Sequence, residues 1–182
     1  ESFTHVTRLL SFLQKTLGGQ LCAYEVMWGD YFRAVTDPGW QRAPMPRDSA
    51  FYVMLETEGA QPEADEAAFI AAMEQAMEDE LIVNAVIPQS ETERRALWEI
   101  RENFSALYQR RPIFLYDVSL PIRDMDAYIQ EVQARIKRRW PNGRCDVIGH
   151  IGDGNLHPLV HPGAEGEHLH EQSDEDVYLP LK

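Results

Sequence analysis

The sequence predicts an α+β fold, helices packed on a mainly antiparallel sheet, and three observations predict it. Stretches whose apolar residues recur every three or four positions interleave with short β-branched and aromatic runs along the whole chain. No period of roughly 20 to 50 residues repeats, and no Gly/Ser-rich linker divides the chain, so the elements belong to one domain. The length, 182 residues, suits one domain and is enough to close an apolar core.

Each element has its own signal. Val6, Leu9, Leu10, Leu13 and Leu17 mark an opening helix that Gly18-Gly19 stops. A strand follows from Leu21 to Met27. Pro38, Gly39, Pro44 and Pro46 make Asp37 to Asp48 a loop, reached through a short helical turn and leading to a strand from Ala50 to Glu58. Next come a helix from Glu63 to Asp79, a strand from Ile82 to Ile87, a helix from Glu91 to Gln109 and a strand from Ile113 to Leu120. A helix from Asp124 to Trp140 precedes two short strands, Cys145 to Ile151 and Asn155 to His161, and Gly163 to Lys182 reads as a weakly periodic helix.

Composition narrows the function. Lys plus Arg number 17 against 30 Asp plus Glu, a net charge of −13 that works against a nucleic-acid partner held through its phosphates. No apolar run approaches the ~18 residues of a membrane span. Glu1 stands where an initiator Met would, so the chain reads as a piece truncated at both ends of a single domain, residues 1–182. Two distant cysteines, Cys22 and Cys145, draw neither a redox pair nor a disulfide framework, which favours the cytoplasm.

Five of the six histidines, His150, His157, His161, His168 and His170, fall near the C-terminal end. Between the first two, Asp153-Gly154 suits a two-residue type I′ hairpin turn. That turn pairs Gly152 with Asn155, Ile151 with Leu156 and His150 with His157. Directly opposed residues share a face, with Cβ atoms roughly 4.5 to 5.5 Å apart, so both imidazoles can meet one divalent ion at ~2.1 Å. On a helix the same pair would stand ~10 Å apart. A third ligand must come from elsewhere, and a hairpin with two exposed histidines is the plain alternative. Asp153-Gly154-Asn155 opens like an EF-hand loop, but His157-Pro158 breaks that pattern.

The string Gly149-His150-Ile151-Gly152-Asp153-Gly154-Asn155-Leu156-His157 resembles the H-x-G-D-G-N-x-H signature of the FAD-linked oxidase C-terminal domain family. These domains are the substrate caps of D-2-hydroxy-acid dehydrogenases. Supporting matches are Tyr24-Glu25-Val26-Met27-Trp28, Phe51 to Thr57, Leu97-Trp98-Glu99-Ile100-Arg101-Glu102 and Tyr116 to Pro121, so the resemblance covers about Glu1 to Pro162. It implies a ferredoxin-like cap cut from a flavoprotein of the vanillyl-alcohol-oxidase type. The parent would oxidise a small D-2-hydroxy acid to the 2-oxo acid, FAD on a separate domain taking the hydride and passing electrons to an unknown acceptor.

The resemblance also implies residue roles. His150 and His157 match the ligands of a divalent metal, zinc, manganese or iron. Arg101 matches an arginine that pairs with the substrate carboxylate, and Ser105 a hydroxyl residue touching the same group. Read from the residues alone, Arg101 emerges from the apolar stripe of Leu97, Phe104 and Tyr108, so its charge needs a partner: an acid substrate or an internal carboxylate. The family's Ser-Ala-Glu-His-Gly segment, with its third ligand and base, is absent, and Glu167-His168 imitates only its dipeptide. No catalytic residue is therefore assigned in this chain, which alone should be inactive. Leu115 and Leu159 replace polar residues of the hydroxyglutarate-specific pattern, while overall similarity points toward that pattern, so the substrate stays open. Asp117 is expected to be structural, and Lys137-Arg138-Arg139 a solvated helix end. The rival reading is a stand-alone divalent-metal-binding or regulatory module without redox chemistry.

Overall fold

Six strands build one antiparallel sheet in the order β2-β1-β5-β6-β3, with β4 also paired to β6. The structure is a computed structural model and describes residues 2–37, 39–102, 104–109, 111–163, 165 and 167–181. The strands are β1 (Leu21–Trp28), β2 (Phe51–Thr57), β3 (Phe114–Leu115), β4 (Val118–Ser119), β5 (Arg144–His150) and β6 (Asn155–His161). The helices are α1 (Phe3–Leu17), α2 (Gly29–Val35), α3 (Pro62–Glu78), α4 (Glu91–Glu102), α5 (Ser105–Tyr108), α6 (Met125–Arg139) and α7 (Leu169–Tyr178). The expected α+β class, helices on an antiparallel sheet, is borne out. No helix among the described residues is long and apolar enough to cross a membrane. Glu1, Pro38, Asn103, Arg110 and Lys182, and positions 164 and 166 of the expected terminal helix, lie outside the described residues.

Local signals explain the helix ends. Gly18 closes α1 with a φ of 58°, a conformation in which a β-carbon is costly, and its N–H bonds back to Gln14. Pro62 opens α3, where a missing N–H costs nothing, and Glu63 and Asp65 in the first turn complement the helix dipole.

Both faces of the sheet are covered, so β1, β5 and β6 are buried in runs instead of alternating with solvent. On one face Tyr24, Val26, Val147 and Leu156 pack under α1, α3, α6 and α7, through Leu13, Ala76, Ile129, Val132 and Val177. On the other, Met27, Ile148 and Leu159 meet Tyr31, Phe32 and Val35 of α2, Ile100 of α4 and Leu107 of α5. The second, smaller layer carries the site.

Four expectations need correction. The stretch Ile82 to Ile87 joins no strand ladder; Val83 and Val86 are 64% and 42% exposed, and the segment lines a groove of about 790 Å³ beside the edge strand β2. Apolar residues favour a strand only where a pairing partner and a buried face exist, and Asn84-Ala85 interrupts this run. The long helix from Glu91 ends at Glu102 and resumes as α5, a break that buries Ala106 and Leu107 and leaves Tyr108 exposed. The strand Ile113 to Leu120 divides into β3 and β4, because Tyr116 leaves the regular ladder to bury its ring and bond Asp174 through its hydroxyl.

The fourth correction concerns the hairpin. His150 pairs with Asn155, Gly149 with Leu156 and Ile148 with His157, so four residues, not two, make the turn. Residues Ile151–Asp153 form one tight helical turn, and Gly154 follows with a φ of 74°. Ile151 is fully buried in the first core cluster. Burying an isoleucine is worth about 1.5–3 kcal/mol, which outweighs the weaker preference of Asp-Gly for a two-residue turn.

The basic run also differs in part from the expected solvated end. Arg139 pairs with Asp176 at 2.5 Å and with Glu175 at 3.2 Å, tying α6 to α7.

Candidate functional site

The site begins as two rows on the sheet. The register sets Glu25 of β1 against His150 of β5, and His150 against Asn155 of β6. Met27, Ile148 and His157 form the adjacent row. Side chains alternate along a strand, so Glu25, His150 and His157 leave the sheet on one face, beneath α4. The two histidines are diagonal neighbours, not the directly opposed pair expected from a two-residue turn. Their rings still meet, with centroids 5.2 Å apart and planes at 88°.

Arg101 reaches down from α4 and is 7% exposed. Its Nε donates to Glu25 Oε2 at 2.8 Å, and its Nη2 lies 3.3 Å from His150 Nε2. The other Glu25 oxygen lies 2.5 Å from His150 Nδ1. This network assigns the imidazole tautomer: Nδ1–H donates to Glu25, and Nε2 accepts from Arg101. The internal carboxylate that Arg101 was expected to need, in the absence of substrate, is thus Glu25. Two of the guanidinium's five N–H donors are used in this way, and the remainder have no partner among the described residues.

Glu25 escaped assignment in the sequence although its signal was present. A glutamate in the apolar run Tyr24 to Trp28 is buried, at 6% exposure, and a buried carboxylate demands a cationic or hydrogen-bonding partner.

Beside this cluster lies a cavity of about 270 Å³. Arg101 and His157 border it, Ile148 and Leu159 line it from the sheet, Phe104 from the segment after α4, and Leu115, Tyr116 and Asp117 from β3 and its continuation. Burial holds the His157 imidazole below its ordinary proton affinity; the Asp117 charge opposes this, while His150 and Arg101 reinforce it. His157 is therefore neutral near pH 7. Asp117, expected to be structural, is exposed. Ser105 is exposed on α5 and does not line the cavity.

The remaining histidines do not converge on the hairpin. His161 pairs with buried Asp146 at 3.2 Å, His168 bonds Glu171, and His170 lies 3.5 Å from Asp174 and packs on Phe114. For a metal, the histidine pair offers a suitable spacing: two imidazoles bound at ~2.1 Å to one tetrahedral ion have centroids roughly 5 Å apart. A cation at His150 Nε2 would have to take the place of the Arg101 Nη2 contact. Among the described residues no group of three His, Cys, Asp or Glu is placed to hold an ion. The pair fits two ligands of a site whose third would lie outside them.

Comparison with known proteins accords with this arrangement. Residues 1–177 match the family model described as FAD linked oxidases, C-terminal domain. A D-2-hydroxyglutarate dehydrogenase of Xanthomonas citri pv. viticola is 38% identical over 116 residues, 64% of this chain and 24% of its own length. The enzyme of that name from Stutzerimonas stutzeri is 31% identical over 137 residues, 75% of this chain and 29% of its own length. A mitochondrial protein of Schizosaccharomyces pombe, whose name proposes D-lactate dehydrogenation, is 30% identical over 166 residues, 86% of this chain and 32% of its own length. The chain thus spans 24–32% of the length of these relatives. With a family match running from the first helix through α7, and the glycine-aspartate hairpin bringing its two histidines under a buried arginine, this chain belongs to the FAD linked oxidase C-terminal domains.

Proposed function

We propose that this chain is the substrate-binding cap of an FAD-dependent oxidoreductase that oxidises a D-2-hydroxy acid to the 2-oxo acid. The observation that carries the reading is Arg101: a buried guanidinium, oriented by Glu25, with donors that no described residue occupies, beside a cavity. A planar guanidinium offers a carboxylate two parallel charge-assisted hydrogen bonds, which fix the acid's orientation. Ser105 stands outside the cavity lining, so among the described residues of this chain the carboxylate falls to Arg101. FAD, held by a domain beyond this one, would supply the hydride acceptor. His150 and His157 would bind a divalent metal together with a ligand from outside the described residues, placing positive charge near the substrate oxygens. Glu25 supports that role by holding Nδ1–H of His150 and leaving Nε2 as the ligand atom. The two cysteines are unpaired, which suits a reducing compartment, the cytoplasm or, as the names of several relatives indicate, the mitochondrion.

The test is flavin bleaching under anaerobic conditions by a panel of D-2-hydroxy acids, in the purified protein that carries this chain. At least one acid is expected to reduce the flavin, and Arg101→Ala to lower kcat/KM by roughly 100-fold, the loss of charge-assisted bonds worth about 3 kcal/mol. Bleaching by no acid, or an unaltered kcat/KM in the variant, would overturn the reading.

A further inference from the structure

The groove beside β2 is a slot between the two layers of the fold. Leu9, Phe69 and Met73 line it from α1 and α3, Leu97 and Trp98 from α4. Two extended stretches border it. One is β2, which is paired with β1 at every residue from Phe51 to Thr57 but with no described strand on its other edge. Gly29 donates to the Ala50 carbonyl, so by alternation Tyr52 and Met54 face β1, while Phe51, Val53 and Leu55 direct their N–H and C=O groups away from it. The other is Ile82 to Ile87, and among the described residues Val83 to Ile87 make no backbone–backbone hydrogen bond.

Unpaired backbone on both borders of an apolar slot defines what fits it: one more strand. Such a strand would complete the ladder on β2 and give Ile82 to Ile87 a partner. Phe51, Val53 and Leu55 are only half-buried although the rest of their core is closed, which marks the cover they lack. The start of α1 indicates where the strand comes from. Phe3, its first residue, packs on Trp28 and on Phe51, the first residue of β2, with ring centroids 5.7 and 5.9 Å apart. Ser2 ahead of it is extended, at φ −132° and ψ 164°. Backbone arriving at α1 therefore enters from the Phe51 end of the slot. The matched family is one of C-terminal domains, and this chain spans 24–32% of its relatives' length, so the parent protein has residues to supply there.

We propose that the slot receives a β-strand from the segment directly ahead of α1 in the parent protein, inserted between β2 and Ile82 to Ile87. The strand ends beside Phe51, where α1 starts, and so runs antiparallel to β2. Both of its faces lie against apolar side chains, so its sequence is a continuous apolar run of about five or six residues. It converts Ile82 to Ile87 into an outer strand of the sheet. Through Leu97 and Trp98 it also seats α4, the helix that carries Arg101, and it ties this domain to the part of the parent that precedes it.

The experiment is amide hydrogen exchange, read by mass spectrometry in the purified parent protein. The amides of Phe51, Val53 and Leu55, alternate amides from Val83 to Ile87, and those of the segment ahead of Glu1 are expected to exchange at least about 100-fold more slowly than unstructured backbone, at every protein concentration. Free exchange along the outer edge of β2 overturns the proposal. Protection that fades on dilution assigns the slot to a second copy, and protection of β2 without slow exchange ahead of Glu1 assigns it to another part of the parent; either result overturns the proposal too. Register is checked by combining Val53→Cys with a single cysteine at each position of the preceding segment in turn. A disulfide within one molecule is expected at one position, where the strands bring two Cα atoms to roughly 5.5 Å, and cross-linking at none overturns the proposal. None of these outcomes depends on which acid the parent oxidises.

Discussion

Glu25 organises the candidate site at the scale of single residues. One carboxylate accepts from Arg101 and from His150, so it holds an expected substrate anchor and an expected metal ligand in a fixed relation. Its side chain and that of Arg101 are 7% and 8% exposed, and removing either partner leaves the other charge buried without compensation. Glu25→Ala is therefore expected to lower the unfolding free energy by about 3–5 kcal/mol, measured in urea. It should also abolish the slowly exchanging Nδ1–H resonance of His150 in nitrogen-15 spectra, because no acceptor then fixes the tautomer. A persistent Nδ1–H signal would show that another group orients the ring.

The β5-β6 hairpin is the element on which the site depends, and Gly149 makes its closeness possible. A β-carbon there would stand 2.6 Å from the Asn155 carbonyl oxygen and 2.8 Å from a Leu156 methyl. Backbone cannot yield as a flexible side chain does, so Gly149→Ala must part the two strands next to both histidines. The expected cost is about 1–3 kcal/mol, accompanied by loss of the cross-strand contacts between His150 and His157 in nuclear Overhauser spectra. Retention of both would mean that the hairpin accommodates the methyl group by a local shift. Gly154, at a φ of 74°, serves the same element differently: it returns the chain to β6 after Ile151 has entered the core.

At the scale of the whole molecule, the sheet keeps another buried carboxylate well separated in sequence from Glu25. Asp146 is fully buried, 3.2 Å from His161 and 3.1 Å from Arg144. Burial alone would raise its proton affinity, but His161 and Arg144 together outweigh burial and hold the carboxyl below its ordinary range. The folded state then binds this proton less readily than the unfolded state. The resulting stability is present above the ordinary Asp value of about 3.9 and is lost as pH falls through the lowered folded value. Urea midpoints are accordingly expected to drop between about pH 5 and pH 3, and Asp146→Asn to flatten that limb while costing about 3 kcal/mol at pH 7. An unaltered acid limb in the variant would assign the acid sensitivity to other carboxylates.

Periodicity was legible wherever local preference and tertiary packing agree. The three-and-four spacing of Val6 to Leu17 became α1, and the β-branched runs became β1, β2, β5 and β6 close to their expected limits. That one hairpin brings the two histidines near each other was legible too, though not their register, and so was the need of Arg101 for a partner, because spacing and burial of charge are local properties. Sequence by itself thus determined the α+β class, the family and the presence of one hairpin with two histidines. Tertiary structure decided the rest: that Ile82 to Ile87 finds no ladder, that Ile151 shifts the register toward the core, and that Glu25 is the buried counterion. It also brought Leu115 and Leu159 to one cavity wall. Each of these depends on which distant segment supplies a partner, and pairing across a sheet or a core is a property of the closed fold that no local stretch of chain encodes.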